Sequence, residues 1–242
     1  MKANTHNKGA LYIAFGEKYV EQAQNSAKSL KRSSNFDITL FSDREPEDNI
    51  FDKVHIFEPT HNRAKVDLLL KSPYENTLYL DSDTLIVSDL GEIFEILEKF
   101  DIVATHDLSR KRSQWAERIS EYKKIPYGFP EINGGILAFT KSPSAVNLLS
   151  NWTEKFYELQ HLTRNQDQPA LRIALWESSA RIYILPPEFN VRNEKIRRKI
   201  IKRMKTPGNR DLMQPRIFHF HGCHEINFFR RVLRRFRPMR TI

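Results

Sequence analysis

Short apolar runs alternate with stretches of helical period along most of this sequence, and few folds accommodate that rhythm. Residues 10–15 form an apolar run closed by Gly16, and residues 38–41, 54–57, 77–80, 101–105, 135–139 and 181–185 repeat the pattern. Runs this short, bounded by Gly, Pro or polar residues, read as buried strands. Between them, Val20, Ala23, Ala27 and Leu30 share one face of a helix over residues 19–31. A second helix, over 63–70, stops ahead of Pro73, which disfavours helical geometry at Ser72. Asp89 is placed to cap a helix carrying Ile93, Phe94, Ile96 and Leu97. Ser142-Pro143 opens a longer helix reaching Leu159, since Pro at the first helical position loses no hydrogen bond, and residues 168–176 form another. Strands alternating with helices predict an α/β fold: a mostly parallel sheet flanked by helices on both faces. No repeat or linker interrupts it, so a single domain is expected.

With 242 residues, 40% of them hydrophobic and 11% aromatic, the chain can bury a substantial core. Its one cysteine, Cys223, excludes an intrachain disulfide and favours a reducing compartment. No apolar run approaches bilayer-spanning length and residues 1–6 lack a hydrophobic signal core, so a soluble, cytoplasmic protein is expected. The net charge of +9 is unevenly placed. From Arg192 to Arg240, sixteen Lys or Arg stand against Glu194, Asp211 and Glu225, which leaves the remainder slightly acidic. Such a basic end attracts polyanions, whether lipid headgroups, nucleic acid or a phosphorylated glycan; a simply solvated surface explains it equally well.

The most informative stretch is Leu78-Tyr79-Leu80-Asp81-Ser82-Asp83, an apolar strand that ends in two carboxylates. Residues two apart on an extended backbone point the same way, so Asp81 and Asp83 can present both acids to one point. That point lies at the carboxyl end of a strand, where open α/β sheets place ligands. A hard divalent ion relieves the repulsion between two such carboxylates, and Mg²⁺ or Mn²⁺ keeps positions open for phosphate oxygens. A turn-forming, solvated Asp-Ser-Asp accounts for the same residues without any ion. Asn133-Gly134-Gly135 precedes an apolar run, and glycine there lets backbone approach a ligand while Asn offers both donor and acceptor.

The segments Ala64-Lys65-Val66-Asp67-Leu68-Leu69-Leu70-Lys71-Ser72-Pro73-Tyr74 and Thr77 to Thr84 resemble the donor-site region of glycosyltransferases with the Rossmann-like GT-A fold. The likeness is nearest to the glycogenin-like enzymes of family 8. It continues, in the family's order, through Asn133-Gly134-Gly135, Asp167-Gln168-Pro169-Ala170-Leu171 and His219-Phe220-His221-Gly222. The resemblance implies a nucleoside diphosphate sugar as donor, a UDP-sugar being favoured, a glycan or lipid-linked hydroxyl acceptor, and a metal cofactor, Mn²⁺ or Mg²⁺. It implies metal ligation by Asp81, Asp83 and His219, with His221 as the second choice for the imidazole. It places Asp167 and Gln168 beside the reacting sugar carbon, and Ala14, Tyr19, Lys65, Asp81, Ser82, Asn133, Gly134 and Gly135 along the donor. It favours retention of anomeric configuration.

The sequence departs from the family after Gly222, where a Lys-Pro-Trp segment is usual and Cys223-His224-Glu225 stands instead. Neutralisation of the leaving diphosphate would then fall to Lys65, Arg63 or the basic tail. On this reading the transferase domain spans residues 1–222, and residues 223–242 form a basic segment. Phe229, Val232, Leu233 and Phe236 recur there at helical spacing, as in an amphipathic helix that packs on the domain or docks on an anionic membrane surface. The rivals are a nucleic-acid-binding protein, which the basic end would serve, and a haloacid-dehalogenase-type phosphatase. The second expects its Asp-x-Asp on the first strand and Thr or Val where Leu85 stands. The first leaves the carboxylate pair unexplained.

Overall fold

A computed structural model describes residues 7–203 and 214–220, the side chains of 201–203 excepted. The chain runs through β1 (Lys8–Ala14), α1 (Glu17–Ser33), β2 (Asp37–Ser42), β3 (Lys53–Ile56), α2 (Lys65–Leu68) and β4 (Asn76–Leu80). There follow β5 (Thr84–Ile86), α3 (Glu92–Leu97), β6 (Ile102–His106), α4 (Ser113–Ala116), α5 (Ser120–Lys124) and β7 (Ile132–Thr140). The last elements are α6 (Pro143–Thr163), α7 (Gln168–Glu177), β8 (Ile182–Leu185), α8 (Glu194–Arg203) and β9 (Ile217–His219). Seven strands form one sheet in the order β3-β2-β1-β4-β7-β6-β8, and β5 pairs with β9 in a second, two-stranded sheet.

Strand alternation divides the core in two. Ala10, Tyr12, Leu78, Leu80, Ile136 and Ala138 face α1 and α3, whereas Leu11, Tyr79, Leu137 and Phe139 face α2, α6 and α7. On the first face Val20, Ala23, Ala27 and Leu30 of α1 are all buried, the stripe their spacing predicts. On the second, Ser142 caps α6 by accepting a hydrogen bond from the Ala145 N–H at 3.3 Å, and Pro143 occupies the first turn. Helices thus cover both faces and the sheet is mostly parallel, as expected.

The exception is β7, antiparallel to both β4 and β6. It buries eight of its nine residues between two neighbours, and nothing in so apolar a run encodes its direction. The Asn133-Gly134-Gly135 segment lies inside this strand rather than ahead of it. Asp89 does not cap α3: its carboxylate accepts the Gly91 N–H at 3.2 Å in a turn before the helix. The helix expected over 63–70 is a short α2 that tightens into a single 3₁₀ turn at Leu69–Lys71 before Pro73.

A polar stripe on α1 fixes the position of β5. The Ser26 hydroxyl bridges Tyr12 of β1 at 2.9 Å and Thr84 of β5 at 2.7 Å, and the Ser29 hydroxyl accepts the Ile86 N–H at 2.9 Å. These groups are buried, so leaving any one unpaired would cost about 1–3 kcal/mol. The turn between β4 and β5, which holds Asp81 to Asp83, is therefore held at both ends.

Candidate active site

The two carboxylates of Asp81 and Asp83 converge by a different route from strand alternation. β4 ends at Leu80, and the chain turns through Ser82 and Asp83 before β5 begins. The Asp81 N–H donates to the Gly135 carbonyl at 2.7 Å, and the Thr84 hydroxyl closes the turn onto the Asp81 carbonyl at 2.9 Å. His219 reaches the same point because β9 pairs with β5 in a register that sets His219 opposite Thr84. Its Nε2 lies 3.2 Å from Asp83 Oδ1 and 3.7 Å from Asp81 Oδ2. One ligand atom from each of the three residues falls within 4.8 Å of the others.

The imidazole is prepared for ligation. Asn190 accepts from His219 Nδ1 at 3.0 Å, while its own amide N–H donates to the His106 carbonyl at 3.2 Å. The second contact orients the Asn190 oxygen, which engages Nδ1 as a donor and aims Nε2 at the carboxylates. His219 is 2% exposed, so this orientation is not set by solvent. Gly135 shapes the opposite wall: a Cβ there would lie 2.2 Å from Asp81 Oδ2 and 2.7 Å from His219 Cε1. Two carboxylates and an oriented imidazole make a donor set suited to Mn²⁺ or Mg²⁺, and these residues fit a divalent cation.

No sequence motif assigned Asn190 this contact with His219, and it yields a test. Asn190→Leu removes the acceptor for Nδ1–H while leaving all three ligands in place. Mn²⁺ affinity, read by electron paramagnetic resonance of the free ion, should fall about 10-fold or more. Unchanged affinity would show that the orienting contact is idle.

Lys65 stands beside this corner. Its ammonium donates to the Gly134 carbonyl at 3.1 Å and lies 3.3 Å from Asp167 and 3.6 Å from Asp81. Burial opposes its charge, but Asp167 and then Asp81 outweigh burial and raise its pKa. Burial likewise works against an ionised Asp81, yet Lys65, His219 and the Tyr79 hydroxyl, which donates to it at 2.7 Å, hold that carboxyl below its ordinary range. Tyr79 is pushed far up by burial and by Asp81 beside it, so it is a hydrogen-bond donor and not a base.

Asp167 does not cap α7, since no side-chain cap bond forms. Its carboxylate faces Lys65 and, at 3.8 Å, Arg63, and its carbonyl accepts from Trp152 Nε1 at 3.0 Å. α6 ends in the left-handed Arg164, which turns the chain into this position. Next to it, Gln168 Nε2 is buried with no hydrogen-bond partner among the described residues.

Two cavities meet here. One, of about 800 Å³, is lined by Ala14, Gly16, Tyr19, Asp43, His61 and the Asp81–Asp83 turn. The other, of about 550 Å³, is lined by Asp107, Arg112, Asn133–Gly135, Asp167, Gln168 and Arg192. Arg63, Lys65 and Asp81 border both. Ser82 and the half-exposed Tyr19 fall in the first cavity. Gly16, at φ +90°, makes the turn out of β1 and donates its N–H to Asp43 at 3.0 Å. Asn133 lines the second cavity, but its amide is already engaged with Asp107 at 3.3 Å and with the Gly135 N–H at 3.1 Å. Asp43, Asp107, Arg112 and Arg192 belong to no recognisable motif, and the sequence did not mark them as part of a site. His221 and the amphipathic stretch from Ile226 to Arg237 lie outside the described residues, as does the boundary at 222–223.

This arrangement, a sheet whose fourth strand ends in a paired-carboxylate corner between two cavities, is that of a GT-A glycosyltransferase. The fold matches the galactosyltransferase LgtC in complex with donor and acceptor sugar analogues, at 15% identity over 88% of this chain and 87% of that one, with a TM-score of 0.60. It also matches the apo form of mouse xyloside xylosyltransferase 1, at 16% identity over 90% and 98% of the two chains and a TM-score of 0.57. A third likeness is to the glycosyltransferase GlyE of Streptococcus pneumoniae, at 17% identity over 89% of this chain but 55% of that one, with a TM-score of 0.59. Among curated protein sequences there is no significant match. Residues 7–225 match the model of glycosyl transferase family 8, and the chain belongs to that family. It is a glycosyltransferase, and the phosphatase reading falls.

Proposed function

We propose that the chain transfers a hexosyl group from a nucleoside diphosphate sugar, a UDP-sugar being favoured, to a hydroxyl of a glycan or lipid-linked acceptor. One observation carries this reading: the Asp81–Asp83–His219 corner lies where a cavity of nucleotide size opens into a second one. A divalent ion held by these three residues, Mn²⁺ or Mg²⁺, would offset the charge that develops on the departing diphosphate. Lys65, kept charged by Asp167 and Asp81, adds a fixed cation beside it and is worth most where that charge develops. Arg63 borders both cavities and can serve the same end.

The nucleoside would occupy the cavity of Ala14 and Tyr19, with Ser82 near the ribose, and the sugar would lie against Asn133, Gly134 and Gly135. Asp167 and Gln168 would face the reacting carbon. There the carboxylate supports positive charge on the ring, and the unpartnered Gln168 amide gains a hydrogen bond on substrate binding. Retention of configuration belongs to the same reading.

Ligands that bind only the native state raise its apparent stability, so a thermal-shift panel decides the donor. UDP-sugars should raise Tm with Mn²⁺ and far less without it. No shift with any nucleotide sugar and Mn²⁺ would overturn the proposal.

We further read the protein as cytoplasmic and peripheral, its basic end meeting an anionic membrane rather than nucleic acid. Among the described residues no helix is long and apolar enough to cross a membrane. On α8, Lys195, Ile196, Arg198 and Lys199 are exposed. Flotation with anionic vesicles at low salt tests this: protein left at the bottom of the gradient would refute it.

A further inference from the structure

One wall of the second cavity, formed by the loop after β6, carries more positive charge than its own contacts use. The loop after β6 reads Ser109-Arg110-Lys111-Arg112, three consecutive cations. Only one carboxylate, Asp107, makes an ion pair with any of them among the described residues, and it is already occupied. Asp107 accepts the Ser109 N–H at 2.8 Å, Asn133 Nδ2 at 3.3 Å and Arg192 Nη1 at 2.9 Å, which leaves Arg112 Nη2 a looser contact at 3.5 Å. The Arg112 Nε is buried with no hydrogen-bond partner among the described residues. Lys111 spends its ammonium on the carbonyls of Lys123 and Ile125, which neutralise no charge. Arg110 is exposed and donates to His106 Nε2 at 2.8 Å, a neutral partner because the other ring nitrogen donates to the Asp107 carbonyl.

Arg112 is also held in place before any ligand arrives. Its guanidinium lies 4.9 Å over the buried Trp115 ring, and its backbone N–H donates to the Tyr122 hydroxyl at 3.0 Å. A planar guanidinium with donors to spare, fixed at a cavity wall, is built to read a carboxylate or phosphate. Ser109 lines the same wall.

On these grounds we infer that the acceptor carries an anionic group, phosphate or carboxylate, and that Arg112 with Ser109 recognises it, the exposed Arg110 outside the cavity lining adding only long-range positive charge. The inference rests on the transferase reading and names the acceptor class for the same site. A sugar hydroxyl could accept from the buried Nε but would leave the loop's charge uncompensated, whereas an anion both accepts from it and offsets that charge. The subsite would also orient the acceptor, since it lines the same cavity as Lys65 and Asp81.

The test uses the full chain with Mn²⁺ and UDP already bound, so that the carboxylate corner is filled. Glucose, glucose 6-phosphate and glucuronate are titrated calorimetrically at low and moderate salt. At least one of the charged sugars should bind about tenfold more tightly than glucose, and the preference should shrink as salt rises. Comparing the two charged sugars tells phosphate from carboxylate. Arg112→Gln should abolish the preference, and Arg110→Gln, on an exposed side chain with little risk to folding, should reduce it. Equal binding of all three sugars to the wild-type chain would overturn the inference while leaving the donor reading intact, as would an undiminished preference in Arg112→Gln. If UDP and Mn²⁺ fail to bind the wild-type chain, both readings fall together.

Discussion

Asp83→Asn is expected to abolish Mn²⁺-supported UDP binding while leaving the metal-free protein at least as stable as before. The substitution keeps the shape of the turn but removes one of the two negative charges in the corner. With one of three ligands reduced to a neutral amide, Mn²⁺ affinity should fall about a hundredfold or more, beyond the 10–100-fold typical of losing an outer contact. The stability effect carries the opposite sign. Without an ion the two carboxylates repel, relieved in part by Lys65 near Asp81, so neutralising one of them relaxes the apo state. Melting curves with and without Mn²⁺ and UDP separate the outcomes. The wild-type chain should gain stability from the pair of ligands and the variant should not. An equal gain in both would remove Asp83 from the metal set.

The second large effect falls on a residue with no side chain. Gly135→Ala adds a methyl group that would meet Asp81 Oδ2 at 2.2 Å, Asp81 Cγ at 2.7 Å and His219 Cε1 at 2.7 Å. Retreat of the backbone is opposed by the pairing of Ile136 with β4 and by the Gly135 carbonyl, which accepts the Asp81 N–H, although Gly135 itself falls in the bulge between β7 and β6. Something in the corner must move, and the free choices are the Asp81 side chain and the short strand that carries His219. The variant should lose most of its Mn²⁺ affinity with all three ligands still present, and should lose about 1–3 kcal/mol of stability from overpacking. Manganese paramagnetic resonance and urea denaturation check the two halves separately. Wild-type affinity in this variant would mean that the ligands need no such close approach of backbone.

Much of the fold could be read from local pattern, and the failures share one physical cause. The seven strands of the main sheet all correspond to apolar runs and α1 to helical spacing, because burial on a sheet face or under a helix leaves a periodic trace, while α6 was marked by its Ser-Pro opening. β5 went unread because Thr84-Leu85-Ile86 is too short to show a period and its partner lies far along the chain. The direction of β7 was hidden for a similar reason: a strand buried between two others is apolar whichever way it runs. α4 and α5, of four and five residues, are made by the loops around them.

The site divides in the same way. Asp81 and Asp83 were legible as acids at a strand end, yet a turn and not an extended backbone brings them together. His219 was chosen by its likeness to a family motif. The contacts that put it in place are the β5–β9 register and Asn190, both products of tertiary structure. Asp107 and Arg112 carry no motif at all, since a charge on a loop looks the same in sequence whether it is solvated or walls a cavity.

The third ligand of the corner arrives on three residues near the far end of the chain. β9 is held by its pairing with β5, a bridge from Phe218 to Val191 and the Phe220 N–H on the Asp83 carbonyl. A cation gripped from both ends would staple together parts of the chain roughly 140 residues apart, a span whose closure is entropically costly until other contacts have formed. Translation delivers His219 late, so a nascent chain that has reached Asp83 and folded its sheet is still without a grip on metal. Competence to hold an ion in this corner would thus be withheld until the chain has been made through His219.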